Sequence, residues 1–581
     1  MKKNKVLLVT TEIQATWGNG EYEKVFFLGD WCKKYNTKIL YDNSTMDTYL
    51  RDRVKFERDH KYLEDIYERM LESLYISLNV YHNTSYSLRY WRIILGPWLF
   101  IYLTSVWDSW ENLRIAFEKY NFDETILLNS DLQYEPPSSR DIGLDRVSNS
   151  HIWNHLFFAK ILKTCYRDKI KFRYENDDSI VFENYKGPKK TFRRFIISWV
   201  DRLLGAIQRN HKFVLVGSYF NKLTLIKISI KLGQIPRLHT EFDKIIKMPK
   251  SSINRNKIII NLREKNKFEL FLKNHIVMDI PVPYIEGYRN IQKKAAHLLP
   301  NCSVIFSASS YWNNELFKVF CAEKVDSGKK LIISEHGGAL QSKYIDFSHR
   351  EKISNVYTVW HKALNGSQIQ LPPNLMINRK KSKKNGTNLV IVNVELTFYR
   401  MDHCSGPLGP LAIDDYQHTL KFIRKLDLDI KKHLKIRMKN IGNWNIKQRY
   451  ADKLGVKFFS QRATLLEEYD HSKIIVCTYP MTTFMEAMFS GVPTILLYKK
   501  EYWEIHPEFD RLVGIMEDAK IIFSNPVAAS DHINKIWSNP YLWWGSVKVI
   551  DARKEFFEQC GHVDDDWLDQ WSDFFKEQLI N

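Results

Sequence analysis

Two short segments concentrate side chains able to hold and react a phosphate ester. Residues 331–338 read Leu-Ile-Ile-Ser-Glu-His-Gly-Gly, an apolar run that stops at a carboxylate, an imidazole and two glycines. His336 can take a proton from a hydroxyl, or give one to a leaving phosphate, near neutral pH. Glu335 is the second candidate, as a base or as the partner of the imidazole. Gly337 and Gly338 let the backbone approach a ligand closely and leave its N–H groups exposed. The plainer alternative is a tight turn with a backbone-bonded histidine.

The other segment, residues 474–497, passes from a buried-strand pattern through Thr478, Pro480, Thr482 and Thr483 into a helical pattern containing Glu486. Threonine hydroxyls cap helix starts, and the free N–H groups there suit a phosphate. Glu486, one turn into the helix, is placed to accept hydrogen bonds from ribose or sugar hydroxyls. Gly491 ends the helix and Pro493 opens the next strand. Upstream, Lys435, Arg437 and Lys439 alternate with Ile436 and Met438, so the three basic side chains share one strand face. Charge-assisted bonds from Arg437 and Lys439 would hold a diphosphate; a solvated edge strand is the alternative. Glu12, in the loop after the first apolar run, is a reserve base, though a solvated loop carboxylate is its commoner reading. Asp131 is a weaker reserve.

Threonines before a helix with Glu486-Ala487, then Gly491-Val492-Pro493, resemble the donor-binding segment of the two-Rossmann-domain (GT-B) glycosyltransferases. The stretch 435–439 resembles the strand end where basic residues approach the donor in several of them. Over most of its length the chain also resembles a family of surface-polysaccharide transferases from bacterial O-antigen gene clusters, first noted in spirochaetes. The similar blocks are 28–32 (Leu-Gly-Asp-Trp-Cys), 89–92 (Arg-Tyr-Trp-Arg), 95–99 (Leu-Gly-Pro-Trp-Leu), Ala322-Glu323 and 328–331. They continue with His336-Gly337-Gly338, residues 353–360, and Thr478-Tyr479-Pro480 leading into 483–493. The resemblance implies transfer of a sugar from a nucleotide-activated donor, with cytidylyl-activated acidic sugars as one class. The implied acceptor is a growing polysaccharide or a lipid-linked glycan. Where such proteins tend to have tyrosine-glycine after the glycine pair, this chain has Ala339-Leu340.

The elements that must position these residues read as α/β: two facing Rossmann-like domains, the first with a helical elaboration. Short apolar runs at 6–10, 38–41, 125–129, 213–217, 303–307 and 330–334 are expected strands of an N-terminal acceptor domain over 1–370. A helical insertion is expected at about 50–120. The apolar run 93–106, broken by Gly96-Pro97, falls short of the ~20 residues that span a bilayer and reads as a buried helix. Pro372-Pro373 followed by the basic run 379–384 marks a linker over 371–386, too charged to be buried. In the donor domain, 387–547, strands are expected at 389–394, 434–438, 457–459, 474–477, 494–497 and 520–523. Helices between them force parallel crossovers, and residues 548–581 should form C-terminal helices.

The chain has 581 residues, too many for one core, and a formal charge of +19. That charge favours anionic partners: phosphate-bearing substrates or an acidic membrane face. No nucleic-acid-binding motif accompanies it. Seven scattered cysteines without a CxxC pair fit a reducing compartment. The run at 6–9 is too short for a signal peptide. The expected setting is therefore cytoplasmic, peripheral at the inner face of the membrane. Walker A, N-terminal GxGxxG, GxSxG and HExxH patterns are missing, which argues against the common nucleotide hydrolases, dinucleotide oxidoreductases, serine hydrolases and zinc proteases. Asp402-His403-Cys404 is a poor metal set because adjacent residues rarely converge on one ion, so neither metal nor cofactor is expected. Two other readings remain: a nucleotide-sugar 2-epimerase, which uses water in place of an acceptor, and a nucleotide- or polysaccharide-binding protein without turnover.

Overall fold

The computed structural model describes residues 3–39, 42–129, 135–176, 192–207, 211–243, 246–251, 253–299, 301–338, 340–383, 385–399, 403–440 and 442–580. The fold is α/β, with three five-stranded parallel sheets flanked by helices. The first sheet contains β1 (Lys3–Val9), β2 (Tyr22–Phe27), β3 (Asn43–Thr45), β4 (Glu124–Leu128) and β5 (Lys171–Glu175), in the order β3-β2-β1-β4-β5. The second contains β6 (Phe213–Leu215), β7 (Val304–Ser307), β8 (Lys330–Ser334), β9 (Val356–Val359) and β10 (Gln368–Gln370), laid side by side in chain order. The third contains β11 (Asn388–Glu395), β12 (Leu434–Asn440), β13 (Ser472–Cys477), β14 (Thr494–Leu497) and β15 (Ile522–Phe523), in the order β12-β11-β13-β14-β15.

Residues 1–370, expected as one domain, thus carry two sheets. β2, β5, β9 and β10 were not anticipated: β2 carries the adjacent charges Glu23 and Lys24, β5 alternates charged and aromatic residues, and β10 is three residues long. Residues 457–459 are not a strand. Val456–Phe458 form a 3-10 turn, and only Phe459 makes an isolated bridge, to Ile436. The 38–41 run is displaced to β3, and residues 40–41 lie outside the described ones.

The helical elaboration is a pair of long helices, Arg53–His82 and Leu88–Lys119. The second is buried nearly all round and carries Pro97 in its interior, as an apolar run sunk in protein should. Among the described residues no helix is long and apolar enough to cross a membrane. The linker is only half exposed. Leu371, Asn374, Met376 and Ile377 are buried, and the solvated part begins near Asn378. The C-terminal helices divide their allegiance. Val547–Cys560 packs in the third sheet's core, whereas Trp567–Ile580 returns to the second, where Trp571 and Phe575 meet Phe306. Trp571 Nε1 donates to the Pro372 carbonyl at 3.1 Å, so the last helix fastens the linker.

Candidate active site

In open parallel sheets a crevice forms at the carboxyl ends of neighbouring strands whose connections run in opposite directions. The third sheet has that reversal between β11 and β13, and the first sheet has it between β1 and β4. The loops after β11 and β13 therefore lie on one crevice and the loop after β1, with Glu12, on another. The second sheet has no reversal, but its central strand β8 ends at Glu335-His336-Gly337-Gly338.

That loop is tightly held. The Glu335 carboxylate is buried and turned inward, where Oε2 accepts the Trp360 N–H at 2.8 Å. A Cβ at Gly338, whose φ is +137°, would lie 2.9 Å from Glu335 Oε1, so the carboxylate and the glycine require one another. Glu335 thus shapes the turn from beneath. His336 is largely buried, with its ring centroid 5.5 Å from that of Tyr219. Burial first, and the Arg350 charge second, push its pKa down to about 4, so the imidazole is neutral at pH 7. The ring lies against the Ala308 backbone, and Nδ1 is buried without a partner.

Across from this turn stands the helix Thr482–Ser490, which follows β13. The Gly338 N–H donates to Thr482 Oγ1 at 2.9 Å, and a Cβ at Gly337 would overlap the same oxygen. The His336 turn and the threonine loop, expected to line one opening, are therefore in contact. Thr483 and Thr478 have other work. Thr483 Oγ1 lies 2.9 Å from the Tyr479 hydroxyl, and the buried Thr478 Oγ1 donates toward the Val392 carbonyl and Asn393 Oδ1 of β11. Neither threonine caps the helix, whose N-cap residue is Met481, without a side-chain bond. Gly491 ends the helix at φ +80°, as expected. Glu486 is ion-paired with Arg379 from the solvated part of the linker.

On β12 the basic face forms as expected, but it is partly engaged by protein. Arg437 donates to the carbonyls of Arg462 and Ala463, and Lys435 to that of Lys457. Lys439 is exposed near the strand's carboxyl end. Close by, a cavity of about 490 Å³ opens beyond β11 and β12, lined by Glu395, Asn443, Asn445, Lys447 and Gln448. Burial raises the Glu395 pKa, opposed by backbone N–H groups of residues 444–446.

Glu12 belongs to a separate cluster. Its Oε2 lies 3.6 Å from His151 Nε2, while His151 Nδ1 lies 2.9 Å from the Tyr399 hydroxyl in the loop after β11. Burial raises the Glu12 pKa and lowers that of His151 to about 4, so this histidine is neutral and the contact is not an ion pair at pH 7. Asp131 and Asp402 lie outside the described residues. His403 is buried with Nε2 bonded to the Phe56 carbonyl, and among the described residues no group of three potential ligands could hold a metal.

Sequence reasoning missed Tyr219, Arg379 and Glu395. Tyr219 stands at φ +62°, beyond β6, and nothing in its neighbourhood of sequence marks it. Arg379 was read only as one charge of a linker. Glu395 closes an otherwise apolar strand, a signal that could have been taken.

A model described as the LIC12162 family transferase matches residues 6–575. No curated protein matches the chain. Solved structures similar to it include MurG of Acinetobacter baumannii, at 12% identity over 63% of this chain and 100% of that one, with a TM-score of 0.33. HepE of Anabaena, in complex with UDP and glucose, is 10% identical over 64% and 99%, with a TM-score of 0.33. MnaA of S. aureus, in a structure with UDP, is 8% identical over 63% and 96%, with a TM-score of 0.34. Likeness this faint says nothing of substrate.

Proposed function

From the premise that the chain belongs to the LIC12162 family of transferases, we propose that it is a glycosyltransferase using a nucleotide-activated sugar. The observation that carries the reading is the meeting of the His336 turn with the amino end of Thr482–Ser490. One side brings a neutral imidazole, and the other brings free helix N–H groups suited to a phosphate.

In this reading His336 removes the proton from an acceptor hydroxyl. The freed oxygen bonds to the sugar's anomeric carbon as the bond from that carbon to the phosphate oxygen breaks. The nucleotide leaves with the bonding pair, its charge received by the helix terminus, Thr482 and Lys439. Glu486 takes ribose or sugar hydroxyls after exchanging them for Arg379. Gly337 and Gly338 keep side chains out of the path, and the Gly338–Thr482 contact parts to admit the donor. Glu12 is the reserve base, and the acceptor is a growing surface polysaccharide or a lipid-linked glycan, with a cytidylyl-activated acidic sugar as one donor class.

A thermal-shift screen of nucleotides would find the donor's base, since a ligand of the native state raises its melting temperature. Nucleotide release that requires a glycan acceptor is the expected result. Release at the same rate into water alone, with an epimerised sugar recovered, would replace transfer by 2-epimerisation.

A further inference from the structure

The helix Phe192–Ile207 turns its apolar stripe to solvent. Phe192, Phe195, Ile196, Trp199, Leu203 and Ile207 recur at spacings of three and four, hence on one face, and all six are exposed, Phe192 by 78% and Trp199 by 58%. A helix of a soluble protein normally buries such a face. Here the opposite side does the anchoring. Asp201 is buried and accepts the N–H groups of Leu238 and Thr240, each at 2.8 Å, and the Thr240 hydroxyl at 2.9 Å.

The neighbouring helix Lys222–Lys231 repeats the pattern. Leu223, Ile226 and Ile230 are exposed, whereas Leu225 and Ile228 are buried. A cavity of about 460 Å³ joins the two helices, lined by Ile196, Val200, Ile226 and Leu238, so the exposed faces form one surface. Contiguous apolar area of this kind marks a binding surface.

Charge selects the occupant. In sequence the two helices carry Arg193, Arg194, Arg202, Lys222, Lys227 and Lys231, with Asp201, turned inward, as their own single acid; Lys231 is ion-paired with Asp569 of the last helix. Lysine is depleted in protein–protein interfaces, whereas basic residues beside Trp, Phe and Leu are the composition of helices lying in the plane of an anionic bilayer. We propose that the exposed faces of Phe192–Ile207 and Lys222–Lys231 dock this protein onto an anionic lipid bilayer. Lys222 follows Tyr219, the neighbour of His336, by three residues, so docking brings the lipid surface to the same edge of the second sheet.

The test is flotation of the full chain with vesicles of phosphatidylcholine, with or without phosphatidylglycerol. It needs neither donor nor acceptor, so it tests the surface apart from the chemistry. The protein should float with the anionic vesicles at low salt and be partly released at high salt. The Phe195→Ser/Trp199→Ser variant, checked by circular dichroism and melting temperature to be folded, should lose partitioning about tenfold or more. The Arg202→Gln/Lys222→Gln variant should lose about fivefold per charge removed. Failure of the wild type to float with anionic vesicles would overturn the proposal, as would equal flotation of the serine variant. So would a wild-type dimer that this variant makes monomeric, because the face would then belong to a second copy.

Discussion

Gly338 and Thr482 stand 144 residues apart and are joined by one hydrogen bond, the glycine N–H donating to the threonine Oγ1 at 2.9 Å. The bond closes the second sheet's central turn onto the third sheet's helix. An antiparallel bridge between Ser342 and Ile505 reinforces the same junction.

Gly337→Ala should strain that junction, because its Cβ would overlap Thr482 Oγ1. Such overpacking costs about 1–3 kcal/mol. In a double-mutant cycle followed by urea denaturation, Thr482→Ala should cost about 1 kcal/mol alone yet relieve most of the alanine's penalty. Additive losses would mean that the two residues do not meet in solution.

His336→Ala should lower turnover about 10²- to 10⁴-fold, the range for loss of a general base, with near-normal donor affinity. The pH profile is the sharper check. With its pKa near 4, set by burial and then by Arg350, the imidazole stays neutral well below the ordinary histidine range. Activity should hold as pH falls past 6.5 and fail only toward 4. The depressed pKa also makes the neutral ring's stability contribution complete above about 6.5 and lost as pH falls through about 4. An acid limb in kcat/KM at 6.5 would remove His336 as the base.

Glu486 and Arg379 separate donor contact from linker docking. Glu486→Ala should weaken nucleotide-sugar binding about tenfold, the worth of one hydrogen bond to a charged group. Arg379→Ala should leave binding within a few-fold, because it removes only the carboxylate's competing partner. Lys439→Ala should also weaken binding, less so at high salt, since the side chain is exposed. Calorimetric titration that finds affinity unchanged in both Glu486→Ala and Lys439→Ala would place the donor elsewhere.

Asp415 supplies a pH dependence of stability. Burial raises its pKa to about 7, opposed by the Lys499 charge. Its folded pKa exceeds the unfolded value, so its contribution is full below about pH 4 and lost as pH rises through about 7. Asp415→Asn should therefore flatten the fall in melting temperature between about pH 4 and pH 7. An unchanged slope would show that Asp415 is charged without cost.

Much of this arrangement was legible in the chain. The third sheet was readable because β11, β13 and β14 are covered on both faces, and apolar runs of that length bounded by polar residues have few other uses. The Gly491 helix stop and the alternating face of β12 were readable for the same reason, being local consequences of side-chain type. Less could be read from the first 370 residues. Strands such as β2 and β5 carry charged side chains, and nothing local says that one sheet closes at β5 and another begins at β6.

Sequence by itself determined which residue types stand at strand ends: the His336 turn, the threonine loop, Glu486 and the basic β12. Tertiary structure alone decided their partners. It turned Glu335 inward to Trp360, set Thr478 on β11, gave Glu486 to Arg379 and placed Glu12 beside His151. The physical reason is range. Periodicity and capping act over a few residues, whereas a hydrogen bond such as Gly338 to Thr482 depends on how whole sheets dock, and no nearby residue encodes it.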